Sequence, residues 1–352
     1  MPVPALWNRR KLYSTAFVAN GNVPIELTKY AQTDFISRLW VRLTGTVNTG
    51  AATAGSATGN DNPEGLLLTA LLQTSPVIAG AVPFNAVSGR GIRWDSAINR
   101  GFLINPTTIT DGGGNQTVNV WYELIFKRRG IRKNIEYAFD ISKYTSALLT
   151  LNFGGQTTLF TGGSNTWSFS GLNVEIWTES DFNVNPDQEH AHELFEQNFA
   201  ILSTQSDYPI NQLPPGWLYT DLRFLAEDNN ALSNSIINNI DIEGGGRIWT
   251  PAGDTNASTL QRCVTALEFD GSVGLTNLVG VYSLGMRDGM FSRQIDALKA
   301  PIIIKLNVTG PGSGHTFNVR LVGRRMVPGA VKSRSVSRPS GSKSSLKTGA
   351  AS

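Results

Sequence analysis

Between residues 187 and 201 the chain gathers its densest set of metal- and proton-active side chains. His190 and His192 stand two apart, with Glu189 and Glu193 beside them. Imidazoles and carboxylates are zinc ligands, but only when they converge on one point. Pro186 precedes the stretch, and Leu194, Phe195, Phe199 and Leu202 fall at helical spacing, so the segment reads as a helix. Side chains two apart on a helix point in different directions. The histidine pair is therefore read as solvated polar residues, and no metal is expected.

Three other features were weighed for chemistry. Gly310-Pro311-Gly312-Ser313-Gly314-His315-Thr316 has the glycine content of a phosphate loop but neither its lysine nor its glycine spacing. It lies between two strand-like runs and reads as a hairpin turn. Asp140 and Asp296 occupy similar places in two similar stretches. Paired carboxylates can do acid–base work, but a turn or cap role, accepting backbone N–H groups, is the better reading. Cys263 is the only cysteine, reads as a core residue, and leaves no intrachain disulfide to form. That fits a reducing compartment. No catalytic residue and no cofactor is expected, and the chain is read as a non-enzyme.

Charge is concentrated at the end. From Arg324 onward seven basic residues (Arg324, Arg325, Lys332, Arg334, Arg338, Lys343 and Lys347) meet no acidic one. Subtracting them from the formal +3 leaves residues 1–323 at −4. Ser, Gly, Pro and Ala fill the rest, so residues 329–352 read as a disordered basic tail. The tail has no aromatic residue, so it favours phosphates or an anionic lipid surface over stacked bases. Overall, 16% of residues are charged, against roughly 25% in an ordinary soluble domain. A surface that poor in charge suits a protein covered by neighbours. The first residues carry Arg9, Arg10 and Lys11 with no long apolar stretch behind them, so no secretory leader is expected. Gly65 to Phe84 is too interrupted to span a bilayer and reads as a buried strand and a loop.

The elements that carry these residues are strands. Leu39, Val41 and Leu43 alternate with Arg38, Trp40 and Arg42, and similar alternation recurs over 118–126, 172–177 and 302–309. The pattern is also duplicated. Ile25 and Leu27 correspond to Tyr208 and Ile210, and Phe35 to Leu43 corresponds to Leu218 to Ala226, both at an offset of 183 (208 − 25, 218 − 35). Leu66 to Leu72 then matches Ile236 to Ile242, Leu149 to Phe153 matches Ile304 to Val308, and Leu172 to Ile176 matches Phe317 to Leu321. Their offsets fall through 170, 155 and 145 (236 − 66, 304 − 149, 317 − 172). One β architecture is used twice, with shorter loops the second time.

Leu213-Pro214-Pro215-Gly216-Trp217-Leu218-Tyr219, followed by Leu222-Arg223-Phe224 and Asp228-Asn229, resembles the opening of the second barrel in double jelly-roll major capsid proteins. Phe35 to Gly45 resembles the matching strand of the first barrel, and Asp140-Ile141-Ser142-Lys143-Tyr144 a later one. That family builds tailless, internal-membrane-containing icosahedral phages of the tectivirus-like and adenovirus-hexon-like lineage. The resemblance covers about residues 21–328; the basic tail has no counterpart in it. It implies an all-β fold of two tandem eight-stranded jelly-roll β-sandwiches joined by a short helix. The expected layout is an arm over 1–20, a first jelly roll over 21–185, a connector helix over 186–206, a second jelly roll over 207–328, and the tail. The resemblance further implies a pseudo-hexameric homotrimer, contacts with neighbouring capsomers and a penton, synthesis in the host cytoplasm and residence in the virion capsid. Arg9, Arg10 and Lys11 would then face inward with the tail's basic residues, toward internal membrane lipid or genomic nucleic acid.

The alternative is a lectin-like or receptor-binding jelly roll, with exposed Trp7, Trp40, Trp121 or Trp177 stacking on sugars. A cupin-like or glycan-cleaving enzyme is a third class and needs converging histidines or carboxylates.

Overall fold

The computed structural model describes residues 7–31, 35–51, 58–59, 63–78, 80–100, 109–126, 139–161, 165–181, 192–244, 247–248, 279–285, 295–297 and 301–326. The first half contains β1 (Trp7–Ala16), β2 (Asn22–Glu26), β3 (Phe35–Ala51), β4 (Thr58–Gly59), β5 (Leu67–Ser75) and β6 (Phe84–Val87). Helix α1 (Gly89–Arg100) follows, then β7 (Gly113–Ile125), β8 (Phe139–Asp140), β9 (Ser146–Phe153), the short helix α2 (Gln156–Leu159), β10 (Phe160–Thr161) and β11 (Ser168–Asp181). The second half contains β12 (His192–Ile201), β13 (Gln205–Leu213), β14 (Leu218–Asp228), β15 (Ala231–Leu232) and β16 (Ile237–Gly244). It ends with β17 (Arg247–Ile248), β18 (Val281–Gly285), β19 (Ile295–Asp296), β20 (Ile302–Val308) and β21 (Phe317–Met326).

These strands form two sandwiches. In the first, the sheet β1-β11-β3-β7 faces the strands β6-β5-β9-β2. In the second, β12-β21-β14 with β18 faces β13-β20-β16-β17. The two halves share a sheet, because β12 runs parallel to β6 and pairs with it at Leu194–Phe84 and Phe195–Asn85. Alternation does the sorting. Leu39, Val41 and Leu43 are fully buried in one core with Leu172, Val174 and Ile176, and Leu222, Phe224 and Leu321 lie in the other.

The duplication holds at the level of individual pairs. Val41 sits opposite Ile176 in β3 and β11, and Phe224 sits opposite Leu321 in β14 and β21. The differences, 224 − 41 and 321 − 176, reproduce the offsets of 183 and 145. Leu72 faces Leu149 as Ile242 faces Ile304, which reproduces 170 and 155 (242 − 72, 304 − 149). Even the two-residue strands correspond: β8 pairs with the start of β3 at Phe35–Asp140, and β19 with the start of β14 at Leu218–Asp296. Asp140 takes the expected cap role, accepting from the Ser142 backbone N–H at 3.1 Å. The β2–β9 pairing is the exception, since Ile25 meets Leu149 whereas Tyr208 meets Leu306. The second copy is irregular there, with register shifts on either side of the Tyr208–Ile210 segment.

Three expectations are corrected. The connector helix over 186–206 is not formed across 192–201, which is strand β12; residues 182–191, with His190, lie outside the described residues. Leu194 packs in the first core and Phe195 in the second, so β12 is buried on both faces. Consecutive apolar positions of that kind mimic helical spacing. Residues 7–16 of the expected arm form β1, because Tyr13 and Leu12 pack on the core while the strand pairs along β11. The Gly310–Gly314 loop is not a hairpin turn: β20 and β21 belong to opposite sheets, so the loop crosses the sandwich. Alternation marks the core face of a strand but not its neighbour. The stretch from Gly65 to Phe84 contains β5 and a loop before β6, and no helix among the described residues is long and apolar enough to cross a membrane.

Equivalent core positions should carry equivalent loads. Leu39 and Leu222, related by the 183 offset (222 − 39), are both fully buried. Replacing either by Ala should lower the unfolding free energy by about 2–5 kcal/mol in urea titrations. A loss below about 1 kcal/mol at one site alone would show that the halves are not built alike.

Candidate functional site: a charged seam and an aromatic face

Helix α1 starts where Ser88 can cap it: the Ser88 hydroxyl accepts from the Gly91 N–H at 3.1 Å. Ser88 in turn donates its own N–H to Glu196 of β12 at 2.8 Å. A Cβ at Gly91 would come within 2.4 Å of the Glu196 carboxylate, so a larger residue there would have to displace that carboxylate from the Ser88 N–H. The cap thus ties the first sandwich to the second.

Behind the cap, α1 carries Asp95, fully buried. Its carboxylate accepts from Arg223 of β14 at 2.7 Å and from the Nε of Arg324 of β21 at 2.8 Å, and a second Arg324 nitrogen makes the pair bidentate. Arg324 also donates to the Ile125 carbonyl at 3.2 Å, and Arg223 also pairs with Asp221. One turn earlier, Arg90 meets Glu227 at 2.7 Å. Arg320 bridges Glu227 and Glu196, both at 3.0 Å. Glu193 accepts from Arg325 at 2.6 Å, from Asn85 at 2.9 Å and from the Val82 N–H at 3.2 Å. Five acidic groups (Asp95, Glu193, Glu196, Asp221, Glu227) thus meet five arginines, and the seam is neutral. Leu194, Leu225, Val281 and Val322, from the outer face of the second sandwich, complete the first core around it.

Burial alone would raise the Asp95 carboxyl, but Arg324 and Arg223 hold it far below the ordinary carboxylate range. Burial would lower Arg320, and Glu227 and Glu196 push it up instead. Nearby Glu64 goes the other way: burial raises it despite Arg93 and Arg90. A buried pair adds little net stability against apolar residues of the same size, yet removing one partner strands a charge in the interior. The seam can be satisfied in only one placement of one sandwich on the other.

Of the residues expected to face a polyanion, Arg324 and Arg325 are corrected. They belong to β21 rather than to the tail, and their guanidiniums are engaged in the seam. Arg325 also lies 4.1 Å from the Trp217 ring centroid. Lys332, Arg334, Arg338, Lys343 and Lys347, and also Cys263, lie outside the described residues. Arg9, Arg10 and Lys11 lie on β1, where Arg10 donates to the Tyr30 carbonyl at 2.6 Å. His192 begins β12, and His315 pairs with Asp228 at 2.9 Å. Among the described residues no group of three or more His, Cys, Asp or Glu is placed to hold a metal.

Arg9 and Lys11 belong to a second arrangement, on the outer face of the β1-β11-β3-β7 sheet. Trp40 and Trp121 meet edge to face at 5.8 Å, and Trp121 and Trp177 are 6.2 Å apart. Arg9 covers Trp40 and Arg42 covers Trp121, both at 4.8 Å. Arg9 and Arg38 pair with Glu179, at 3.3 and 2.8 Å, and Lys11 and Arg42 with Glu175, at 3.1 and 3.2 Å. Burial would raise Glu175, but bonds from Trp177, Lys11 and Arg42 lower it. Trp40 is only 4% exposed, which corrects its expected role as a sugar-stacking platform. The side chain of Trp7 lies outside what is described.

No family model matches the sequence, and no curated protein does. Solved structures do match across nearly the whole chain. The STIV MCP crystal structure is 15% identical, with a TM-score of 0.69 over 94% of this chain and 99% of that one. A chain from the atomic structure of Sulfolobus Turreted Icosahedral Virus is 17% identical, with a TM-score of 0.66 over 92% of this chain and 91% of that one. The major capsid protein P2 of bacteriophage PM2 is 10% identical, with a TM-score of 0.56 over 92% and 97%. At these identities the likeness shows the fold. The chain is a double jelly roll, as the resemblance implied.

The seam makes a sharp prediction. Asp95→Asn should lower the unfolding free energy at neutral pH by about 3–5 kcal/mol. Glu243→Gln, which breaks an exposed pair with Lys305 at 2.9 Å, should lower it by less than about 1 kcal/mol. Because Asp95 is depressed in the folded state, its contribution is complete above the ordinary carboxylate value of about 3.9 and is lost as pH falls below it. The difference between the parent and Asp95→Asn should therefore shrink below about pH 4. Equal costs for the two variants at neutral pH contradict the assignment.

Proposed function

We propose that this chain is a structural major capsid protein, which self-assembles as a pseudo-hexameric homotrimer into an icosahedral virion shell. The observation that carries the reading is the repetition of strand pairing in the two sandwiches, pair for pair, in a fold shared with a phage major capsid protein. Two near-equivalent sandwiches per chain let threefold symmetry present six similar walls, and such a tile packs a hexagonal lattice. A welded seam keeps the two walls of one chain in fixed orientation, which a tile requires. The chain acts by binding copies of itself and other virion proteins such as a penton, and catalyses nothing. It is made in the host cytoplasm and resides in the virion capsid.

In this reading the five basic residues beyond Met326 (Lys332, Arg334, Arg338, Lys343, Lys347) meet an inner polyanion, either membrane lipid or genome. Arg9 and Lys11, half-exposed and paired with Glu179 and Glu175, lie on β1 rather than in the tail.

Sedimentation velocity over a concentration series tests the shell reading: a species of three chain masses is expected, and a monomer at every concentration overturns it. Deleting residues 330–352 should leave that species intact. The deletion should also flatten the dependence of log affinity on log salt for duplex DNA by about 4–5, the value for five phosphate contacts. Unchanged binding to both DNA and anionic liposomes would remove the tail from the account.

A further inference from the structure

We propose that the outer face of the β1-β11-β3-β7 sheet, with Trp121 and Trp177 part-exposed and Trp40 buried beneath Arg9, is the surface on which a second copy of this chain docks, with its second sandwich. The inference rests on the shell reading and assigns it a contact.

The argument is positional. In the second sandwich, the seam face is formed by Leu194, Leu225, Val281 and Val322, which the first sandwich covers. Pairing register transfers each of these onto the first sandwich. Leu225 lies opposite Val281 as Arg42 lies opposite Trp121. Val322 corresponds to Trp177 at the offset of 145 (322 − 177), and Leu194, opposite Arg324, corresponds to Arg9, opposite Glu179. Arg223, which holds Asp95, corresponds to Trp40 (223 − 40 = 183). The Arg–Trp face therefore occupies, position for position, the place of a face that is already a packed interface within the chain.

The edges agree. β12 carries β6 of the first sandwich along one side, and β1, its counterpart, stands at the end of its sheet among the described residues. A chain whose second half receives its first half through this joint leaves the same joint open on its first half. Repeating the contact from copy to copy is head-to-tail, and such contacts form a ring when the rotation closes, as a threefold rotation does.

The side chains suit the task. Around its ion pairs the seam made within one chain is filled by Leu and Val. A face that is wet before assembly needs residues that tolerate both states. Tryptophan and arginine do so, and they dominate binding energy at protein interfaces. Here each indole is already held by a cation or a neighbouring ring, and the glutamates already have partners. Little ordering remains to be done on docking.

The test uses the full chain. Trp121→Ser should weaken self-association by about 30-fold or more, the effect of losing an interface hot spot, while the monomer stays folded by circular dichroism. Leu202→Ser, at a site 83% exposed and away from this face, should assemble like the parent. Hydroxyl-radical footprinting of the unmodified chain keeps the test open if Trp121→Ser misfolds: Trp121 and Trp177 should lose reactivity as concentration rises through the association range. A parent that assembles while both indoles stay equally reactive overturns this surface and leaves the shell reading standing. A parent that never assembles overturns both.

Discussion

Asp95 is held by guanidiniums from two strands of the opposite half of the chain, in a place that water does not reach. An ion pair of that kind tolerates little displacement, because a shifted partner leaves a charge buried and unmatched. The placement of α1, the capping of its first turn by Ser88, the glycine at 91 and the parallel meeting of β6 and β12 all follow from the need to satisfy it. Ten strands drawn from both halves then form one sheet, joined where β12 meets β6. The placement of one sandwich on the other is thus fixed by contacts made inside the chain.

Much of the fold was legible in the residues. Period-two alternation located β3, β7, β11, β20 and β21, and the order of similar segments exposed the duplication, which the pairing register then reproduced. What alternation could not show was which strands are neighbours. It therefore misassigned the Gly310–Gly314 loop, which crosses between sheets, and it could not separate a helix from β12, a strand with apolar contacts on both faces. The seam was missed for a related reason. Arg223, Arg320 and Arg324 look like ordinary outward-facing positions of half-buried strands, and only the arrival of α1 turns that outside into an interior. The available signal was weak but present: Arg320, Arg324 and Arg325 interrupt the apolar run of β21, and Asp221 and Glu227 stand within four positions of Arg223 on β14.

The two sandwiches diverge where their surroundings diverge. Their inward faces use the same kinds of residue at the same register. Their outward faces do not, because one is sealed by its own chain and the other is dressed with Trp, Arg and Glu. In the proposed assembly the two faces meet different neighbours, one within the chain and one a separate copy.

The central claim, that one chain contributes two near-equivalent walls to a closed threefold tile, is tested most directly by electron cryo-microscopy of the assembled protein. The account predicts a ring of three chains showing six similar sandwiches, with the β1-β11-β3-β7 face buried against the second sandwich of the next chain. A twofold dimer, or a ring in which that face points to solvent, would contradict it.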